Sequence, residues 1–106
     1  MIWLMIKKVV WSPEAKRDIK EIKDFYDKRN KSKSYSKKLL KIFRDAAEFI
    51  EKFPESSYKT NRENIRGFVI KDYILFYEIL STQILVLTVW DSRRNPEQLT
   101  ERIPKQ

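Results

Sequence analysis

Ile65-Arg66-Gly67-Phe68-Val69-Ile70, Tyr73-Ile74-Leu75-Phe76-Tyr77-Glu78-Ile79 and Ile84-Leu85-Val86-Leu87-Thr88-Val89-Trp90 follow one another at hairpin spacing, each rich in β-branched and aromatic residues. They predict a three-stranded meander. The last run empties into Asp91-Ser92-Arg93-Arg94-Asn95-Pro96, which places two guanidinium groups at a strand end. Arginines on a rigid strand end suit bidentate grip on phosphate or carboxylate oxygens.

Upstream, Ile6 to Trp11 reads as a further strand. Ser12-Pro13-Glu14-Ala15 is a helix start, with serine as N-cap, proline in the first turn and glutamate facing the positive end of the dipole. Ile19, Ile22, Phe25 and Tyr26 continue at helical spacing to an end near Arg29-Asn30. After Lys31-Ser32-Lys33 the reading places Ser34 as the cap of a second helix. Its stripe is Leu39, Phe43, Ala46, Ile50 and Phe53, widened by Leu40 and Ala47 and stopped by Pro54. The segment from Glu55 to Asn64 is a loop with a short extended piece around Tyr58. The fold class is therefore α+β, in the order β-αα-βββ, with a helical hairpin packed on one face of a small antiparallel sheet. At 106 residues the chain reads as a single domain, 1–106.

Both faces of the predicted sheet are apolar: Tyr73, Leu75, Tyr77 and Ile79 alternate with Ile74, Phe76 and Glu78, and Leu85, Leu87 and Val89 alternate with Ile84, Val86, Thr88 and Trp90. Helices cover one face only. At about 25 cal/mol per Å² of apolar area, an uncovered second face forgoes several kcal/mol, so a partner chain or a dimer is expected to cover it, with loops and the chain ends as the alternative cover.

Lys and Arg number 23 against 15 Asp and Glu, a formal charge of +8. Residues 1–53 carry 15 basic and 8 acidic side chains, and residues 54–106 carry 8 and 7, so the excess lies in the helical half. Seven basic residues and no acid fall between Lys28 and Lys41. Such a run is a solvated hairpin tip or an electrostatic footprint for nucleic acid or an acidic partner. Cysteine and histidine are both absent, which excludes disulfides, thiolate chemistry, histidine triads and histidine metal sites. No metal or cofactor is expected. No stretch is long enough to span a membrane, so the cytoplasm is the expected location. A single glycine, Gly67, leaves no phosphate-binding loop. The acids read as solvent-facing and unpaired. What remains is a basic strand-edge cluster of Lys59, Arg62, Arg66, Lys71, Arg93 and Arg94, able to stabilise phosphate charge, with a lysine or tyrosine of depressed pKa to move protons. Arg66 reads equally as a structural arginine bonded to carbonyls.

From Val9 to Leu99 the chain resembles the RelE/ParE superfamily of toxins from type II toxin–antitoxin modules. The resemblance is carried by Trp11-Ser12-Pro13-Glu14-Ala15 with Ile19 and Ile22, by Phe53-Pro54, by Arg66-Gly67-Phe68-Val69-Ile70 with Tyr73 and Tyr77, and by Val89-Trp90-Asp91-Ser92-Arg93-Arg94-Asn95-Pro96. It implies a bacterial toxin neutralised by a cognate antitoxin, with operator DNA contacted through that antitoxin and a hetero-oligomer or dimer as the assembly. RelE-like members cut mRNA on the ribosome, whereas ParE-like members poison DNA gyrase. Ile74 stands where RelE-like nucleases place an arginine, Ile65 and Gly67 stand where they place a lysine pair, and no tyrosine follows Arg94. The pattern Arg66-x-Phe68-x-Ile70-x-x-Tyr73-x-x-x-Tyr77 is closer to the ParE-like branch. That branch implies a binding protein with Arg66, Arg93, Arg94 and the C-terminal tail as contacts. The nuclease branch implies Arg66, Arg93 and Arg94 at the phosphate, assisted by Lys59, Arg62 or Lys71. Whether Met1 to Met5 belongs to the natural domain stays open.

Overall fold

A computed structural model describes residues 7–101. The elements are β1 (Lys8–Trp11), α1 (Pro13–Asn30), α2 (Ser34–Lys52), β2 (Tyr58–Lys59), β3 (Ile65–Ile70), β4 (Tyr73–Ile79), β5 (Gln83–Asp91) and a 3-10 helix (Pro96–Glu101). The expected order and fold class hold, with both helices on one face of the sheet. The sheet itself is mixed rather than antiparallel. Its strand order is β1-β5-β4-β3-β2, and β1 lies parallel to β5, Trp11 opposite Val86. The helical hairpin makes this the natural outcome: it returns the chain after β1 and lets the meander fill in from the far edge. Residues 1–5 and Ile6 lie outside the described residues.

The α1 start is as predicted. Ser12 Oγ accepts from Ala15 N at 3.0 Å, with Pro13 as the first helical residue. Ser12 also binds the sheet, its N–H donating to the Val86 carbonyl and its hydroxyl to the Leu87 carbonyl, both at 3.0 Å. Ser34, by contrast, does not cap α2. The helix begins at Ser34 itself, and its N–H donates to Ser32 Oγ at 3.2 Å. Ser36 is the buried serine of this turn, bonded to the carboxylate of Asp27 on α1 and so tying the two helices together. The stripe of Leu39, Phe43, Ala46, Ala47 and Ile50 is buried. Phe53 is not; as the C-cap it has left the helix direction and stands 54% exposed.

Leu39, Phe43 and Ile50 meet Leu75, Tyr77, Ile84 and Val86 in the main core. Much of the opposite face is covered from within the chain, as the alternative to a partner chain had it. Ile65, Phe76, Leu87 and Trp90 form a second buried cluster, with Ile74, Leu85 and Leu99 of the 3-10 helix packed against it. Opposite Phe76 and Tyr77, β5 carries one extra residue: Phe76 pairs with Thr88 and Tyr77 with Val86, leaving a bulge at Leu87. Past this point β1 no longer flanks β5, and α1 supplies the missing partners. Buried Asp18 accepts from the Thr88 hydroxyl at 2.6 Å and from Val89 N at 3.0 Å. An acid read as solvent-facing is therefore a structural acceptor, because a strand edge leaves N–H groups that need one. Glu51 does the same for β1, accepting from Val9 N at 2.8 Å.

Candidate functional site

The predicted basic cluster divides in two. Lys59 pairs with Arg66 across β2 and β3, and Arg62 lies in the loop beside them. Lys71 sits in the tight β3–β4 turn, where Asp72 O accepts from Ser92 N at 2.8 Å. Arg93 and Arg94 follow directly. Arg66 and Lys71 thus mark opposite ends of β3, roughly 17 Å apart at the usual strand rise. No single ligand atom is gripped by both groups.

Arg66 takes the structural role. Its Nη1 donates to the carbonyls of Glu55 at 2.9 Å and Ser57 at 2.8 Å, pinning the segment that follows α2. Tyr77 joins in from below, its hydroxyl donating to the Pro54 carbonyl at 2.6 Å. Thr60 Oγ1 holds the next turn, donating to the Ile65 carbonyl and accepting from Arg62 N.

At the other end, a cleft of about 190 Å³ opens between α1 and the end of β5. Ile22, Phe25, Tyr73 and Val89 supply its apolar wall, and Asp18, Glu21, Asp91, Arg93 and Arg94 its charges. Arg93 donates from Nε to Asp91 Oδ1 at 2.9 Å and from Nη2 to Oδ2 at 2.8 Å, with Asp72 3.9 Å from Nη1. The pairing with Arg93 holds the Asp91 carboxyl below the usual carboxylate range. Arg94 lies over the Trp90 ring, 4.4 Å from its centroid. One guanidinium is thus neutralised by its own chain, while the other sits over Trp90, exposed at the mouth of the cleft.

Three of the tyrosines are poorly suited to act as a base. Burial pushes the Tyr73 hydroxyl well above its ordinary value, reinforced by its contact with Tyr26 at 3.5 Å, and burial also raises Tyr77 and Tyr58. These shifts run opposite to the depression that proton transfer near neutral pH requires. Among the described residues, no group of three or more Asp and Glu is placed to hold a metal ion, and no helix is long and apolar enough to cross a membrane. Sequence reading missed Asp91, Asp72 and Trp90 as the partners that fix the arginine pair. Only the i, i+2 spacing of Asp91 and Arg93 carries a local signal, since a turn brings such a carboxylate back onto the guanidinium.

A family model described as the ParE toxin of type II toxin–antitoxin systems, parDE, matches residues 9–96. No curated protein sequence matches the chain significantly. Among solved structures, a chain described as the chromosomal ParDE toxin–antitoxin system from P. aeruginosa superposes with a TM-score of 0.73. Identity is 11%, and the superposition covers 82% of this chain and 97% of that one, a likeness of fold.

Proposed function

From a chain that belongs to the ParE toxin family of type II toxin–antitoxin systems, we propose a toxin that arrests growth by binding and poisoning DNA gyrase and is neutralised by a cognate antitoxin. The observation that carries this reading is the state of the site. Ile74, where a nuclease would need a cation, packs against the second core, and burial raises the Tyr73 and Tyr77 hydroxyls above their ordinary value. Arg93 is already paired with Asp91. These features favour a rigid contact surface over a reaction centre. Arg93 and Arg94 present that surface at the end of β5, together with the chain that follows them, while Arg66 holds the scaffold. The protein acts in the cytoplasm as a binding module, without a cofactor.

The antitoxin is supported by apolar surface away from this site. Phe49 and Phe53 stand exposed with their rings 5.2 Å apart, and Phe49 lies 5.6 Å from Phe68 of β3. This patch gives an antitoxin tail its apolar anchors. The antitoxin in turn contacts operator DNA.

The test is a pulse-labelling time course after induction of the chain alone in bacteria. DNA synthesis stopping first, with double-strand breaks, is the expected outcome. Protein synthesis collapsing first, with cleaved mRNA, would replace this reading with the ribosome-dependent nuclease.

A further inference from the structure

The tip of the helical hairpin carries the densest charge of the molecule. Lys28, Arg29, Lys31, Lys33, Lys37 and Lys38 are all exposed, and none forms an ion pair with a described residue. The nearby acids are already engaged: Asp24 with Lys20 at 2.8 Å, and Asp27 with Lys23 at 2.6 Å and with Ser36. The backbone is fixed there too, since Lys31 closes α1 in the left-handed region at φ 50° and α2 starts three residues later. Tyr26 meets Tyr35 of the second helix edge-on at 4.7 Å and reaches the sheet through Tyr73, whose hydroxyl lies 3.5 Å from its own, while Tyr73 packs edge-on against Phe43 at 5.7 Å. The tip therefore stands on the same end of the fold as Lys71, Arg93 and Arg94.

We propose that this hairpin tip is a docking surface for the phosphate backbone of duplex DNA. The choice of partner follows from what the tip lacks. Among the described residues the exposed large hydrophobics are Val10, Phe25, Phe49, Phe53, Tyr58 and Val69, none of them between residues 28 and 41. A protein interface needs such residues as anchors, and this surface offers only charge. Its tyrosines, Tyr26 and Tyr35, are turned into edge contacts with each other, and the neighbouring exposed ring, Phe25, lines the cleft beside Arg93 and Arg94, so the tip itself presents no row of rings for the base stacking that single strands require. Five lysines among the six cations suit a row of phosphates met as point charges rather than planar bidentate recognition. This surface is separate from both the arginine pair and the apolar patch, and it stands whichever target the toxin poisons.

The test is fluorescence anisotropy of the full chain against a labelled duplex of about 20 base pairs over a series of salt concentrations. The variants are Lys31→Ala, Lys33→Ala, Lys37→Ala and Lys38→Ala combined, and a control of equal charge, Lys8→Ala, Arg17→Ala, Lys16→Ala and Lys52→Ala combined. The tip variant should flatten the slope of log K against log salt by about three to four, while the control keeps most of it. Equal losses in both variants would overturn the proposal, because net charge alone would then explain binding. Tighter binding of single-stranded RNA or of polyglutamate than of the duplex would overturn it as well, in favour of that partner class. Circular dichroism of both variants keeps loss of fold distinct from loss of binding.

Discussion

Arg93 closes a bidentate pair on Asp91, 2.9 Å from Nε to Oδ1 and 2.8 Å from Nη2 to Oδ2, two residues away in the same chain. The pair orients Arg93 across the cleft mouth beside Arg94, which rests on Trp90. A planar cation fixed by its own carboxylate is a preorganised contact, since the partner need not meet the entropy of ordering it.

Replacing Arg93 and Arg94 together by alanine should abolish growth inhibition while leaving the fold and antitoxin binding intact, because both side chains are exposed and neither belongs to a core. Induction toxicity and co-purification with the antitoxin read the two properties separately. A double variant that stays fully toxic would remove this surface from the proposal.

Asp91→Asn should show how acid affects the pair. A carboxyl whose folded pKa is depressed adds stability above its unfolded value, near 4, and loses it as pH falls through the folded value. The melting-temperature gap between the natural chain and the variant should be full at pH 6, narrow below about pH 4 and close once Asp91 is protonated. A gap that stays constant to the lowest pH would mean that the pair contributes no linked stability.

Asp18→Ala should destabilise the fold by about 3 kcal/mol in urea unfolding, since it removes the buried acceptor of the Thr88 hydroxyl and the Val89 N–H. A loss below about 0.5 kcal/mol, the range of ordinary surface substitutions, would show that Asp18 is not the structural acceptor described.

Gly67→Ala should cost about 1–2 kcal/mol. The Tyr58 ring lies over Gly67 across the β2–β3 pair, and an added Cβ would fall 2.7 Å from its Cε2. The ring would have to swing into solvent and give up its edge contact with Phe76, at 6.4 Å between centroids. In a Tyr58→Ala background the same glycine substitution should be close to neutral, a coupling that a double-mutant cycle measures directly.

Where the signal is local, the amino-acid sequence alone determined the outcome. Ser12-Pro13 starts α1 because a serine hydroxyl and a prolyl φ suit a helix N-terminus whatever lies beyond it. The stripe from Leu39 to Ile50 buries one face of α2, and the two-residue turn at Lys71-Asp72 sets the β3–β4 register. The family resemblance was legible for the same reason, since it rests on these elements in this order.

The tertiary structure decided everything that depends on which distant groups meet. A strand such as Val9-Val10-Trp11 has the same alternation whether its neighbour runs parallel or antiparallel, so only the docked hairpin sets β1 alongside β5. The second sheet face looked unshielded because the cover comes from Leu99, far along the chain from Ile65. Six cations looked like one cluster because sequence carries no distance across a strand; folded, β3 holds Arg66 and Lys71 at opposite ends. Even the arginine's role turned on this, since the carbonyls of Glu55 and Ser57 become its partners only once β2 has paired with β3.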